Sequence, residues 1–190
     1  MCDQAEEATY IQRVLAGDRE SFRALVENYN GVVYRIAYGM TRNAESAQDA
    51  VQEVFYRAYR GLEKFDMEQP FGAWIRRIAV NYLLDQRKKK RAFTVSMTAE
   101  DNQEIDAPDE SENPRERWMK KERQTAVLQA LQRLPEKYRM ILTLRHFDNL
   151  SYEEIADTLA MPLGTVTTQI HRARSKLAEL LSPLQKELTI

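Results

Sequence analysis

The stretch SYEEIADTLAMPLGTVTTQIHRARSKL, residues 151–177, decides the fold of the C-terminal part of this chain. Ser151 and Glu154 have the spacing of a capping box, which predicts the start of a short helix, and Pro162 predicts its end near Ala160. A second helix is predicted from about Gly164. Two short helices joined by such a turn pack closely when small and apolar side chains fill the angle between them. Four residues meet this requirement: Ala156, Leu159, Met161 and Val166. The stretch therefore predicts a helix-turn-helix.

The second helix of this motif has a polar face that suits the major groove of DNA. Its apolar residues Val166, Ile170 and Ala173 fall on one side, and hydroxyl, amide and guanidinium groups cover the other sides. No carboxylate stands between Gly164 and Ala178, which matters because an acidic group beside DNA phosphates would be repelled. We expect this helix to read base edges, with an ordinary helical hairpin as the weaker alternative.

The composition is that of a helical protein of one or two small domains. The chain has 190 residues and a mass of 22.2 kDa, with 43% hydrophobic and 30% charged residues. Only six Gly and six Pro are present, too few for a fold rich in tight turns. Cys2 is the single cysteine, which excludes an internal disulfide and a cysteine-based zinc site. The acidic start and the lack of a long apolar run predict a cytoplasmic protein without a signal peptide.

Charge divides the chain into three segments. Residues 1–92 carry a net charge of +2, residues 93–114 carry −7 with no Lys or Arg, and residues 115–190 carry +4. The acidic segment has no helical apolar pattern, which favours a flexible linker over a specific acidic docking segment. We therefore predict an all-α protein with two small helical domains. An N-terminal helical bundle and a C-terminal four-helix domain with the helix-turn-helix are joined by the acidic linker.

Three amphipathic patterns predict the helices of the N-terminal domain. Apolar residues recur every three or four positions within residues 22–40, 47–62 and 71–83. Asp18 and Asn43 are placed to cap the first two helices. In the C-terminal domain, the pair at residues 113 and 114, Asn-Pro, predicts a helix start, and a further helix is predicted from Pro135 to about Phe147.

Two further motifs reveal a family resemblance. The segments DAVQEVF, residues 49–55, and FGAWIRRIAVN, residues 71–81, resemble conserved regions 2.2 to 2.4 of bacterial sigma factors. Residues 151–177 resemble region 4.2 of the same proteins. Two such units joined by a short linker are similar to the extracytoplasmic-function (ECF) group of the sigma-70 family. The resemblance implies a non-enzymatic subunit that directs core RNA polymerase to promoter DNA, with no cofactor or small-molecule substrate. We expect no metal site, because a lone histidine on a helix, such as His171, is seldom a ligand and His146 has no Cys or His neighbour.

The resemblance also implies contacts with RNA polymerase, on its β′ clamp and its β flap. By position, the clamp-binding residues are Asp49, Gln52 and Glu53. Like charges at positions i and i+4 of a helix destabilise it slightly, so Asp49 and Glu53 favour a partner over a plain exposed face.

The −10 promoter element is assigned to the third N-terminal helix and the loop before it. Strand separation requires unstacked bases to be held by polar groups near cations, and residues 72–92 carry seven positive charges against Asp85 alone. By resemblance, Asn81 is the candidate for the base pocket. The helical spacing of Trp74 with Ile75 and Ile78 favours a place in the core over a stacking wedge. The full set of candidates is Lys64, Phe65, Arg76, Arg77, Asn81, Arg87, Lys88, Lys89, Lys90 and Arg91.

The −35 element is assigned to the helix-turn-helix. Five residues are predicted nearest the base edges: Thr165, Thr167, Thr168, Gln169 and Arg172. Three are predicted on phosphates: His171, Arg174 and Lys176. Residues 167–169 depart from the usual pattern of the family, in which a serine stands between two basic residues.

The sequence allows two other interpretations. A helix-turn-helix transcriptional regulator with an N-terminal sensing or dimerisation bundle is the main alternative, and it predicts tight duplex binding without polymerase. An enzyme is disfavoured because no phosphate loop, catalytic triad or metal cluster is recognisable. By resemblance, an anti-sigma factor is an expected partner, and it could hold the protein at the membrane.

Overall fold

A computed structural model of the chain describes residues 4–93 and 125–187, in which every regular element is a helix. The N-terminal unit contains α1 (Gln4–Leu15), α2 (Ser21–Thr41), α3 (Ala44–Gly61), a 3-10 turn (Leu62–Lys64) and α4 (Phe71–Phe93). The C-terminal unit contains α5 (125–133), α6 (Glu136–His146), α7 (Tyr152–Leu159) and α8 (Leu163–Glu187). The prediction of an all-α chain with four C-terminal helices is confirmed. None of the described helices is long and apolar enough to cross a membrane.

The N-terminal unit is a bundle in which α2, α3 and α4 pack on one another and α1 packs on α2. The apolar patterns of the sequence point inward as predicted. Side chains with no exposed surface come from all three long helices: Leu25, Val33, Ile36, Val54 and Ile75. Burial of each such side chain stabilises the fold by about 1.5–3 kcal/mol. The bundle therefore holds the exposed residues of the same helices in fixed positions.

The predicted helix caps are present, with one difference. Asn43 accepts a hydrogen bond from the backbone N–H of Ser46 at 2.6 Å and caps α3 as expected. Asp18 lies one turn ahead of α2, where its carboxylate accepts from the Ser21 hydroxyl at 2.7 Å and from the Glu20 N–H at 3.2 Å. The bond from Ser21 lowers the pKa of Asp18. Asp18 therefore stabilises the turn that leads into α2, and the residue directly before the helix is Glu20.

The helix-turn-helix is formed by α7 and α8. Ser151 and Glu154 make both hydrogen bonds of the predicted capping box, at 3.1 and 2.7 Å. The turn begins at Ala160, which adopts a left-handed conformation with φ of 49° and lets its N–H and that of Met161 bond back to α7. Val166 and Ile170 are fully buried under α8, as predicted.

A buried arginine, which the sequence analysis did not identify, fastens the C-terminal unit. Arg139 of α6 is only 3% exposed. Its guanidinium donates hydrogen bonds to the backbone carbonyls of Leu131, Gln132 and Leu134, at the end of α5. Because helix C-termini leave carbonyls without intrahelical partners, Arg139 satisfies groups that would otherwise be buried unpaired.

The two units pack directly on each other. Helix α6 packs on α2, and α7 packs on α4, so the buried apolar residues of both units form one continuous core. Most of the predicted linker, and the proposed cap at residues 113 and 114, lie outside the described residues. The domain boundaries therefore stay a prediction, while the direct contact between the units is a finding that the sequence analysis did not anticipate.

Candidate nucleic-acid interface

Helix α8 presents a polar face that is held in place by a fully buried apolar one. Val166, Ile170 and Ala173 have no exposed surface, and α8 packs through them on α6 and α7. The predicted −35 residues lie on the remaining sides of the helix. Thr168, His171, Arg172, Arg174 and Lys176 are exposed, while Thr165, Thr167 and Gln169 are half-buried. The structure thus places these residues on the sides of α8 that its buried apolar residues leave free.

Two threonines of this face use their hydroxyl hydrogens within the helix. Thr167 donates to the carbonyl of Leu163 at 3.0 Å, and Thr168 donates to that of Gly164 at 2.8 Å. Each threonine therefore offers the solvent a methyl group and an accepting oxygen. Such a surface suits a thymine methyl or an amino group of a base. Among the ion pairs within the described residues, none engages Arg172, whose side chain is exposed.

A cluster of positive charge at the end of α6 adjoins α8. Burial lowers the pKa of His146, and the nearby charges of Arg174 and Arg145 lower it further. The neutral form of His146 is favoured because a third positive charge would be repelled there. The sequence analysis placed Arg174 at a phosphate but gave His146 no role, since nothing in the sequence shows that the two residues meet.

An aromatic cluster connects the loop before α4 with its first turns. The rings of Phe65 and Trp74 lie 4.9 Å apart, and Phe71 lies 5.7 Å from Phe65 and 5.5 Å from Trp74. Trp74 is half-buried against Gly61, which supports its predicted place in the core. Phe65 is half-buried as well, so of the two candidates in this segment Lys64 is the more exposed.

Among the polar −10 candidates along α4, Asn81, Lys88 and Lys89 have exposed side chains. Lys88 lies 3.7 Å from the carboxylate of Asp85. The side chains of Lys90 and Arg91 lie outside the described part of the structure.

Three arginines of α4 donate hydrogen bonds to protein groups; Arg76 and Arg87 are half-buried, and Arg77 stays exposed. Arg87 donates to the carbonyl of Met40 at 3.1 Å, near the end of α2. Arg76 forms an ion pair with Asp148 at 2.6 Å, and Arg77 donates to the carbonyl of Asp157 at 3.0 Å. In this arrangement Arg76 and Arg77 hold the helix-turn-helix unit.

The predicted polymerase-binding residues lie together on α3, but their charges are partly compensated. Asp49 and Gln52 are exposed, and Glu53 pairs with Arg57 at 2.7 Å. Arg57 also lies 4.8 Å from the ring centre of Tyr82, a residue whose pKa is raised by burial and by the charge of Glu53. The predicted repulsion between Asp49 and Glu53 is therefore relieved within the chain, and exposure is the better argument for a partner.

A groove between α2 and α3 extends this face. It has a volume of about 440 Å³ and is lined by Asn30, Tyr34, Gln48, Val51 and Gln52. The residues on α2 were missed by sequence reasoning because only the contact between α2 and α3 places them beside Gln52.

Comparison with known proteins finds matches to both helical units of the chain. The family model for sigma-70 region 2 matches residues 25–93, and the model for sigma-70 region 4 matches residues 124–177. The RNA polymerase sigma-H factor of Pseudomonas aeruginosa is 35% identical, over 98% of this chain and 100% of its own length. The ECF RNA polymerase sigma-E factor of Escherichia coli K12 is 36% identical, over 97% of this chain and 98% of its own length.

A solved structure shows the same fold. It contains the sigma factor RpoE in complex with the anti-sigma factor NepR from Bartonella quintana. The TM-score is 0.66 at 22% identity, over 86% of this chain and 98% of that one. The matches to both family models, in the order of the two helical units, remove the case for an ordinary helix-turn-helix regulator. The chain belongs to the sigma-70 family and, within it, to the extracytoplasmic-function group of RNA polymerase sigma factors.

Proposed function

We propose that this sigma factor reads promoters through two separate DNA interfaces and binds core polymerase through a third surface. Helix α8 reads the −35 element, α4 and the loop before it hold the −10 element, and the exposed face of α3 docks on the polymerase clamp. The observation that carries the proposal is the exposed face of α8, which has no carboxylate up to Ala178 and rests on a fully buried apolar face.

At the −35 element, specificity comes from the first half of α8. Arg172 offers the paired donors that fit guanine, and Gln169 offers an amide that fits adenine. Thr165, Thr167 and Thr168 add methyl contacts and accepting oxygens. Arg174 and Lys176 are exposed further along the helix and bind phosphates, which position the helix without reading sequence.

At the −10 element, the exposed polar groups of α4 act on separated strands. Asn81 holds an unstacked base through its amide, while Lys64, Lys88 and Lys89 supply charge for the phosphate backbone. The aromatic cluster packs Phe65 of the loop against Phe71 and Trp74 of α4. This packing fixes the position of the loop, and with it Lys64, relative to α4.

The remaining roles follow from family membership. Core RNA polymerase performs the chemistry, so we expect no catalytic step from this chain and place its work in the cytoplasm, where the polymerase is found. The solved relative is bound to an anti-sigma factor. We propose that a protein of this kind restrains the present chain too, and co-purification from native cells tests it.

Transcription by reconstituted holoenzyme tests the two DNA interfaces separately. The template is a promoter that run-off sequencing recovers, together with single-base variants of it. Arg172→Ala should relax preference at −35 positions, at a cost of about 1–3 kcal/mol on the cognate sequence. Asn81→Ala should leave −35 preference intact and reduce the permanganate reactivity of thymines in the opened −10 region.

Lys176→Ala is the matched control, because a phosphate contact should weaken all templates equally. If Arg172→Ala weakens every template equally, Arg172 binds a phosphate. If Asn81→Ala leaves strand opening unchanged, the base pocket lies elsewhere.

A further inference from the structure

A buried carboxylate on α1 makes a hydrogen bond that none of the proposed interfaces uses. Glu7 is only 5% exposed. Its Oε1 accepts a hydrogen bond from the hydroxyl of Tyr29 on α2, and Tyr29 is itself 7% exposed. Burial of an acidic side chain costs free energy unless its oxygens are hydrogen-bonded, so Glu7 depends on this donor. We call Glu7 and Tyr29 the buried pair.

Tyr29 lies directly against the first turn of α4. Its ring centre is 5.3 Å from that of Phe71, which is 2% exposed. Gly72 permits this approach, because an added Cβ there would lie 2.9 Å from Tyr29 Cε1 and 3.0 Å from the Tyr29 hydroxyl oxygen. The same Cβ would lie 3.1 Å from the end of the Arg76 side chain. A larger residue at position 72 would therefore move Tyr29 or the start of α4.

The loop before α4, residues 65–70, rests on α1. A small cavity of about 10 Å³ lies between them, lined on the α1 side by Glu7, Ala8 and Ile11 and on the loop side by Phe65, Met67 and Gln69. A volume of this size holds about one water molecule and no nucleobase. The contact between α1 and the loop is therefore a packed support, and Glu7 belongs both to this support and to the buried pair.

The loop itself is a preformed turn that can be placed as one piece. The carboxylate of Asp66 accepts hydrogen bonds from the Glu68 N–H at 3.0 Å and from the side-chain amide of Gln69 at 3.1 Å. The Gln69 N–H also donates to the Asp66 carbonyl at 3.1 Å. Because these bonds close within the loop, its position relative to α4 is set by the aromatic cluster on one side and by α1 on the other.

We propose that Glu7 and Tyr29 are positioning residues for the −10 interface. The buried pair joins α1 to α2 behind the first turn of α4 and so fixes the loop relative to Asn81, about three turns further along α4. Both side chains are buried and act without touching DNA. The inference rests on the proposed role of α4 and its loop at the −10 element. Groups that capture a base must be held within about 0.5 Å of their productive geometry, so loosening this support should impair base capture.

Strand opening by reconstituted holoenzyme on a recovered promoter is the first test. Tyr29→Phe removes the hydroxyl and keeps the ring that packs on Phe71. The permanganate reactivity of the −10 thymines should fall about 10-fold, the change expected for the loss of one buried hydrogen bond. Binding to the same duplex in the cold, before the strands separate, should stay within about 2-fold of wild type, because α8 is untouched.

Base preference is the readout that a merely structural role would not move. A variant that only reduces the amount of folded protein lowers transcription from every template by the same factor. Tyr29→Phe should instead reduce discrimination against single-base −10 variants about 10-fold, as one lost hydrogen bond predicts, and leave discrimination at −35 unchanged. Urea denaturation of each variant shows how much of any loss comes from unfolding.

The conservative change at Glu7 provides a rescue. Glu7→Gln keeps a side-chain oxygen that can accept from the Tyr29 hydroxyl, so it should retain most of the −10 preference. Glu7→Leu removes every acceptor and should lose the preference as Tyr29→Phe does.

Gly72→Ala perturbs the same contact from α4, because its Cβ would meet Tyr29, and it should also reduce −10 discrimination. Gly31→Ala is the matched control, since a Cβ at this position of α2 would meet only the end of the Arg35 side chain, at 3.4 Å. Tyr10→Phe removes a hydroxyl from a half-buried ring of α1 outside the buried pair. Both controls should behave as wild type.

The outcomes separate this proposal from the promoter-reading proposal. Wild-type opening and −10 preference in Tyr29→Phe and Glu7→Leu would overturn the positioning role, and so would an equal loss on every template. If Asn81→Ala impairs opening while Tyr29→Phe and Glu7→Leu have no effect, only the positioning role fails. If the wild-type holoenzyme shows no base preference at −10, the promoter-reading proposal fails and the positioning role fails with it.

Discussion

Replacing Lys88 and Lys89 with alanine should lower the salt dependence of promoter binding by a calculable amount. Both side chains are exposed on α4, and that of Lys88 is 76% exposed. The nearest acidic partner of Lys88 is Asp85, at 3.7 Å and itself 60% exposed. Exposed pairs of this kind contribute little to stability, so the fold should survive and the loss should fall on phosphate contacts.

The magnitude follows from counter-ion release. Each phosphate contact contributes about 0.9 to the slope of log K against log salt on duplex DNA and about 0.7 on single strands. Loss of two contacts therefore lowers the slope by about 1.4–1.8. Between about 50 and 200 mM salt, the gap in affinity between the wild type and the variant should narrow by about 7- to 12-fold.

The assay is binding of reconstituted holoenzyme to a fluorescent promoter fragment across a potassium chloride series. Arg19→Ala combined with Arg23→Ala is the matched control, because it removes two positive charges near the start of α2. An unchanged slope for the α4 variant, or an equal fall in the control, would refute the phosphate role of Lys88 and Lys89.

Three further predictions concern stability and pH. Arg139→Met should destabilise the protein by about 3 kcal/mol in urea denaturation, because buried carbonyls lose their donors; a loss under about 1 kcal/mol would contradict this reasoning. Ala160→Gly should stabilise it by about 0.5–1 kcal/mol, since glycine adopts φ of 49° without strain but has more freedom when unfolded. The pKa of His146 is lower in the folded protein than in the unfolded chain, so the unfolded chain takes up a proton at a higher pH. The free energy of unfolding should therefore fall as the pH drops from about 7.5 to 5.5, and it should fall less in His146→Gln. Parallel stability curves for the wild type and His146→Gln would show that His146 does not contribute.

The helix-turn-helix was predictable because its determinants are local. The capping box of Ser151 and Glu154, the proline in the turn and the apolar spacing of α8 all act over a few residues, and the structure contains each of them. The exposure of the α8 face follows from the same spacing, so the −35 candidates could be listed without a structure.

The contact between the units could not be predicted because its partners are distant in the chain. Arg76 and Asp148 are 72 residues apart, and Arg35 and Asp148 are 113 apart. In the sequence, Arg76 and Arg77 look like any other cations of a basic helix. Arg139 is similar, since the carbonyls that it binds are set by the angle between α5 and α6.

The relief of repulsion between Asp49 and Glu53 is a different case. Arg57 stands four residues after Glu53, and this spacing commonly forms an ion pair on a helix. The sequence therefore contained the pair, and attention to the negative charges alone missed it.

Run-off transcription with purified bacterial core polymerase on a genomic library, followed by sequencing of new 5′ ends, tests the central claim most directly. We predict start sites that depend on this protein and share two upstream motifs with a fixed spacing, at −35 and −10. Absence of new start sites, combined with direct duplex binding by the protein alone, would contradict promoter reading through α8 and α4.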